Sequence, residues 1–213
     1  MPGLPNWFLA LIAVGCGSPQ EGEDPETCYD AVDNDGDGLL DCDDGGCAQA
    51  AGCGGDTGEA DSGALLCINE FMASNAQTSV GLENDLGEPL FPDWIELFSA
   101  LDHPLTLAGF TVTDDLADPM KHVLGDLVLP AGGYLLLFAD GDARAGPAHL
   151  SFRLSAGGEQ IGVYTPAGRA MDRLEYGAQQ ADWSAARVPD GNQADGAWQI
   201  VQEPTPGAPN EAR

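Results

Sequence analysis

Six positions in one short stretch carry the oxygen ligands and the spacing that a calcium ion requires. In Asp33-Asn34-Asp35-Gly36-Asp37-Gly38-Leu39-Leu40-Asp41-Cys42-Asp43-Asp44, the carboxylates of Asp33, Asp35 and Asp37 alternate. They match positions 1, 3 and 5 of a twelve-residue calcium loop, with Gly38 at the turn position 6, the Leu39 carbonyl at 7, and Asp41 and Asp44 at 9 and 12. Alternate carboxylates wrapped by a glycine turn converge on one point, and calcium takes about six to eight oxygens. Asp44 is one methylene shorter than the glutamate usual at the last position. A weak site is expected, on the order of 10⁻⁴–10⁻³ M as in extracellular modules. Two other readings stand beside it. Without metal, the carboxylates repel one another and the stretch is an acidic spacer. A different metal is the third, but copper prefers nitrogen or sulfur ligands.

The loop sits inside a cysteine cluster. The cysteines are Cys16, Cys28, Cys42, Cys47, Cys53 and Cys67. Cys28, Cys42, Cys47 and Cys53 are the disulfide candidates, and four cysteines admit three connectivities among which the sequence does not choose. So small and polar a segment cannot fold on apolar burial, so disulfides would be its main constraint. Zinc is a poor alternative, because residues 20–64 contain no Cys-x-x-Cys pair and no histidine. Cys67 lies in an apolar strand pattern and is expected to be a buried thiol.

Disulfides require export, and the N-terminal residues supply a reason for it. Trp7–Val14 is an apolar run far shorter than the roughly 20 residues that span a bilayer, but it fits the core of a signal peptide. Ala13-Val14-Gly15-Cys16 resembles the bacterial lipobox, whose cysteine receives lipid and becomes the mature N-terminus. Two departures are the absence of Lys or Arg before Trp7 and Ala13 where leucine is commoner. An ordinary signal peptide cut near Gly17, or a misassigned start, is the alternative. Residues 1–15 are thus read as a signal peptide and 16–27 as an acidic tether lipidated at Cys16. Acyl chains contribute about 0.8 kcal/mol per buried CH₂. Gly17-Ser18 lacks the aspartate that favours inner-membrane retention in enteric bacteria, which points to the outer membrane or cell surface; without lipid, the protein is secreted.

Charge divides the chain in the same way. The 213 residues hold 35 Asp plus Glu against 7 Lys plus Arg, a formal net charge of −28. Fourteen of those acids fall between residues 20 and 64 with no base among them, and the remaining 21 share the rest with all seven bases. Such a field repels phosphate and argues against nucleic-acid partners. Gly54–Gly63 has the composition of a flexible linker, so 28–53 is read as the calcium-loop motif and 54–64 as a linker.

From Leu65 onward, short apolar or alternating runs are separated by Gly and Pro turns. The pattern predicts strands at Leu66–Met72, Asp93–Phe98, Leu105–Thr113, Lys121–Leu124, Gly133–Ala139, His149–Leu154, Gln160–Thr165, Ala170–Tyr176 and Trp198–Val201. No segment keeps a helical period. The expected fold class is therefore all-β, a β-sandwich over 65–210 preceded by a disulfide-rich acidic segment with little regular structure.

Two stretches resemble known families. Cys28 to Cys53 is similar to the short Cys/Asp-rich metal-binding repeats of secreted bacterial proteins, common in myxobacteria, and to thrombospondin type 3 calcium repeats. Ile68-Asn69-Glu70-Phe71-Met72-Ala73-Ser74-Asn75 and Pro92-Asp93-Trp94-Ile95-Glu96-Leu97-Phe98 resemble the opening of a lamin tail domain. So do Leu107–Asp114, Leu129–Tyr134, Leu154–Glu159 and the closing Pro204-Thr205-Pro206-Gly207. The resemblance implies an immunoglobulin-like sandwich of the bacterial branch. Such domains occur in exported proteins beside hydrolases and nucleases, in a binding or positioning role without an agreed catalytic residue.

The residues themselves point away from catalysis. His103, His122 and His149 form no His-x-His or His-Glu-x-x-His pattern, and no Gly-x-Ser-x-Gly occurs. Glu83, Asp85 and Glu88 near Asp93, and Asp114, Asp115 and Asp118, read as solvated acidic loops more readily than as metal ligands. Trp94, Tyr134, Trp183 and Trp198 read as packing aromatics rather than a carbohydrate platform. The expectation is a non-enzymatic, lipid-anchored surface protein with no catalytic residues. It would present a sandwich on a calcium-stabilised stalk to another surface protein or a polysaccharide. The alternatives are an accessory module of an exported hydrolase or nuclease system, or an envelope component with no specific ligand.

Overall fold

The computed structural model describes residues 66–192 and 197–210, together with Cys28 and Cys47. The signal peptide and tether, Cys16, the loop residues Asp33, Asp35, Asp37, Leu39, Asp41 and Asp44, Cys42, Cys53 and the linker 54–64 lie outside the described residues. Cys28 and Cys47 are joined in a disulfide.

The described chain is all-β. Its strands are β1 (Leu66–Met72), β2 (Trp94–Ser99), β3 (Leu105–Thr106), β4 (Thr111–Thr113), β5 (His122–Val123), β6 (Val128–Leu129), β7 (Tyr134–Phe138), β8 (Gly158–Tyr164), β9 (Ala170–Gly177), β10 (Ser184–Arg187) and β11 (Trp198–Val201). One sheet has the order β11-β10-β1-β2-β7, another the order β5-β4-β8-β9, and β3 pairs with β6. All these pairings are antiparallel.

The two larger sheets share one apolar core. Leu66, Ile68 and Phe71 of β1, Ile95 and Leu97 of β2 and Leu137 of β7 meet Val112 of β4 and Ile161 and Val163 of β8 there. Two-residue periodicity puts alternate side chains of each strand into that layer.

Strand β1 breaks the period in a consequential way. Its register against β2 runs Ile68↔Leu97, then Glu70↔Glu96 and Phe71↔Ile95, so Asn69 is an extra residue. A bulge of this kind re-phases the residues beyond it. Ile68 and Phe71 both face the core, while Glu70 turns to the other side of the sheet, opposite Glu96. Every residue of β1 is buried, because residues 188–192 and 204–210 cover that second side.

Several elements differ from the sequence pattern. Leu105–Thr113 is not one strand: Gly109 takes φ +83° and the chain turns between β3 and β4. Leu150, Phe152 and Leu154 are buried and Ser151 and Arg153 exposed, as alternation predicts. The segment nonetheless makes only single bridges, Phe138↔His149 and Asp140↔Arg153, along the outer side of β7. Strands β6 and β10 have no counterpart in the sequence pattern. Ser184-Ala185-Ala186-Arg187 lacks the branched and aromatic residues that mark a strand. Cys67 is a buried thiol, as expected.

Candidate functional site

The densest gathering of polar side chains lies on the side of the five-stranded sheet away from the core. The β1 bulge brings Asn69 and Glu70 there, and β2 adds Glu96 from the middle of an otherwise apolar strand. Asn69, Glu70 and Glu96 are completely buried. Asn69 Nδ2 donates to Glu96 Oε1 and to Asp190 Oδ1, each at 2.9 Å, and its Oδ1 accepts from Gly191 N at 3.0 Å. Tyr134 Oη donates to Asp190 Oδ2 at 2.8 Å. Ser184 Oγ donates to Glu70 Oε1.

The donors that complete the network come from the segment 204–210. Thr205 N donates to Glu70 at 3.2 Å, Gly207 N to Glu96 Oε2 at 2.6 Å and Asn210 N to Asp190 Oδ1 at 3.0 Å. Thr205 Oγ1 adds a contact to Glu70 Oε2 at 3.1 Å, and Asn210 Nδ2 reaches the carbonyls of Asn69 and Arg187. Three carboxylates thus each receive one backbone N–H of a single crossing segment. These donors satisfy the acceptor oxygens of the buried acids in either protonation state, and more strongly when the acid is ionised, which offsets part of the cost of burial.

That cost shows in the acidities. Burial above all, then the charges of Glu70 and Asp190, push the Glu96 carboxyl up to about 8, against the opposing donors Asn69 and Gly207. Burial likewise raises Glu70, opposed by its bonds to Ser184 and Thr205. Burial and the neighbouring Asp190 carboxylate hold the Tyr134 hydroxyl above its usual range.

A second polar tie crosses the core. Asp172 of β9 pairs with Val163 and so points inward, where Arg187 of β10 meets it. Arg187 Nη2 lies 3.0 Å from each Asp172 oxygen, Ile68 N donates to Asp172 Oδ2 at 2.9 Å, and Arg187 Nε donates to the Ile68 carbonyl at 2.8 Å. Arg187 also stacks over Trp198, 4.6 Å from the ring. The pair therefore joins the two sheets and satisfies the Ile68 backbone beside the bulge.

The remaining residues singled out in the sequence fall in separate places. Glu83, Asp85 and Glu88 are exposed around a turn organised by Asn84, whose Oδ1 accepts from Leu86 N and Glu88 N. Asp93 instead accepts from Asn75 N at 2.8 Å. Asp114 pairs with Lys121, and Asp115 caps Ala117 N at 2.9 Å. His103 contacts Asp102 on the surface, His149 Nδ1 lies 2.6 Å from Asp140 Oδ2, and His122 Nδ1 accepts from Ser151 N. Burial lowers the His122 ring below its usual range. Among the described residues, no three His, Cys, Asp or Glu side chains gather as metal ligands, and no helix is long and apolar enough to cross a membrane.

Trp94 is fully buried and Trp198 packs on Phe71 at 5.5 Å between centroids. Trp183 lies instead on an open depression of about 220 Å³, with Ala178, Gln179, Gln180, Ser184 and Ile200.

Asn69, Glu70, Glu96, Thr205 and Gly207 all lie in stretches singled out in the sequence, yet the sequence offers no role for them. A signal is present: an Asn-Glu pair and a lone glutamate inside apolar strands. Asp172, Ser184, Arg187, Asp190 and Asn210 carry none. Comparison with protein-family models and with curated proteins finds no match.

Proposed function

We propose that this chain is a non-enzymatic, lipid-anchored cell-surface protein. Cys16 would hold it in the outer membrane, the calcium-stabilised stretch containing Asp33, Asp35, Asp37, Leu39, Asp41 and Asp44 would serve as a stalk, and an immunoglobulin-like, lamin-tail-type sandwich would be presented for binding to a protein or a polysaccharide. One observation carries the reading. The converging carboxylates of the domain, Glu70, Glu96 and Asp190, are taken up by N–H groups of the chain itself. Their arrangement is that of a clasp, which suits a rigid presenting module.

The test has two arms. Intact cells are labelled with an impermeant reagent and the mature N-terminus is read by mass spectrometry. A diacylglyceryl-modified Cys16 on surface-labelled protein is expected, and an unmodified Cys16 or a chain starting after it overturns the anchor. Calorimetry with calcium at millimolar concentration is expected to give a binding heat that disappears in the Asp33→Asn/Asp35→Asn variant. Absence of any heat removes the metal from the stalk.

A further inference from the structure

Sheet edges expose unpaired N–H and C=O groups, and proteins usually guard them with charge, shortness or cover. Three of the four edges of the two larger sheets are guarded. The outer side of β7 is covered by residues 148–153, with Phe138 N donating to Ala148 O and Leu150 N to Phe138 O, both at 2.8 Å. Strand β5 has two residues. Strand β9 carries exposed Arg173 and Glu175.

Among the described residues, strand β11 has none of these devices. Its sequence is Trp198-Gln199-Ile200-Val201, without charge, proline or glycine, and among the described residues it pairs with β10 alone. The ladder to β10 is antiparallel, with Ala185↔Ile200 and Arg187↔Trp198 opposite, and Val188 N donates to Ala197 O. Bonding alternates along such a ladder, so Gln199 and Val201 bond to β10 while the N–H and C=O groups of Trp198 and Ile200 face outward. Ile200 lies across from Ala185, on the core-facing side of the sheet, yet it is 64% exposed. It belongs to the edge strand and lines the 220 Å³ depression with Trp183.

The wall of that depression is firmly built. Asp182, at φ +61°, accepts from Ala76 N and Gln77 N at 2.8 Å each, and its own N–H donates to the Ser74 carbonyl. Trp183 is therefore held where it stands, and Gln179 is fixed by its Oε1 contact with Ala73 N at 2.7 Å. Among the described residues the result is an uncovered main-chain edge beside a small recess in which Ala178, Trp183 and Ile200 supply apolar surface and Gln179, Gln180 and Ser184 polar surface, the two components of recognition by strand addition.

We infer that β11 is a docking edge for an extended segment of a partner protein, which adds as a sixth strand and places one apolar side chain in the recess beside Trp183 and Ile200. Charge selects the occupant. Residues 65–213 alone hold 21 acids against 7 bases, so a second copy of the domain is repelled, whereas a segment flanked by lysine or arginine is drawn to it. The inference rests on the reading of the domain as a presenting module and names the surface that does the presenting.

The probe is a fluorescently labelled peptide of alternating valine and threonine with lysines at both ends, titrated against the full chain by anisotropy. Ile200→Pro removes an outward N–H and the apolar contact but leaves the donors to β10 in place. Ile200→Lys installs an edge guard. Both variants are expected to bind at least about tenfold more weakly with an unchanged melting temperature. Glu175→Lys on β9 is expected to bind as the parent does. Equal binding by all four proteins overturns the inference, as does equal binding of a peptide flanked by glutamates. Self-association of the parent that Ile200→Lys abolishes also overturns it, because a second copy then fills the edge. Surface partners retained equally by the parent and Ile200→Lys would refute the edge while leaving the presenting role intact.

Discussion

Replacing Glu96 with glutamine should change how stability depends on pH more than it changes stability itself. In the folded domain Glu96 ionises near 8 rather than at its ordinary 4.5, chiefly because it is buried. Below pH 4.5 the folded and unfolded chains both hold the proton. Between 4.5 and 8 the unfolded chain releases it first, so the folded state binds more protons and stability falls as pH rises. Above 8 both forms are ionised and the fall stops. One proton contributes a slope of up to about 1.4 kcal/mol per pH unit, and the full interval amounts to a few kcal/mol on the order-of-magnitude scale. Glu70, whose carboxyl is also raised by burial, adds a slope of the same sign. His122, lowered by burial, adds one of opposite sign just below its ordinary value of 6.5. Urea unfolding of the parent and of Glu96→Gln at intervals from pH 5 to pH 9 separates these contributions, because the Glu96 part and its coupling to Glu70 disappear in the variant while the His122 part stays. The substituted glutamine keeps one acceptor for Asn69 or Gly207 and forfeits the other bond, about 1 kcal/mol. The variant is therefore expected to be somewhat less stable at pH 5 and at least as stable at pH 9. Parallel curves for the two proteins would refute the assignment of the buried proton to Glu96.

Other outcomes can be checked with the same unfolding measurement. Arg187→Met leaves Asp172 buried without its partner and is expected to cost about 3–5 kcal/mol, and adding Asp172→Leu should recover part of the loss. Phe71→Ala removes a ring packed between Tyr176 at 4.8 Å and Trp198 at 5.5 Å, with an expected cost of about 3–5 kcal/mol. Gly158→Ala sets a Cβ 2.7 Å from the Tyr176 carbonyl at φ +106°, so a loss of at least about 1 kcal/mol should be seen, read as a lower melting temperature. Thr205→Val deletes the hydroxyl bonds to Glu70 and Asn210 and should cost about 1–2 kcal/mol.

How far the sequence reaches can be seen strand by strand. The bounds of β1 and β11 come from their own residues, because branched and aromatic side chains mark both stretches as strands, although only β1 is buried throughout. The interior alternation of Leu150, Phe152 and Leu154 is legible, but not that its backbone lies along β7 without forming a continuous ladder. Alternation predicts that Ile68 and Glu70 share a face. Asn69 reverses that, and a bulge leaves no mark in a pattern read two residues at a time. The polar clasp is invisible for a related reason. Its members are separated by up to 141 residues, as for Asn210 and Asn69, and nothing local in Ser184, Arg187 or Asp190 announces where they meet. Cys28 and Cys47 are two of four candidates whose pairing spacing alone leaves open.

The crossing of residues 204–210 over β1 and β2 has a consequence for the order of events during synthesis. Glu70 and Glu96 emerge from the ribosome more than a hundred residues before Thr205 and Gly207, their backbone donors. Strand β1 also waits for β10, its neighbour on one side in the finished sheet. Until those late residues arrive, two acids sit on a half-built surface where remaining in water is the cheaper state. Long-range closure of this kind is slow. The buried carboxylates thus tie completion of the five-stranded sheet to the docking of residues 204–210.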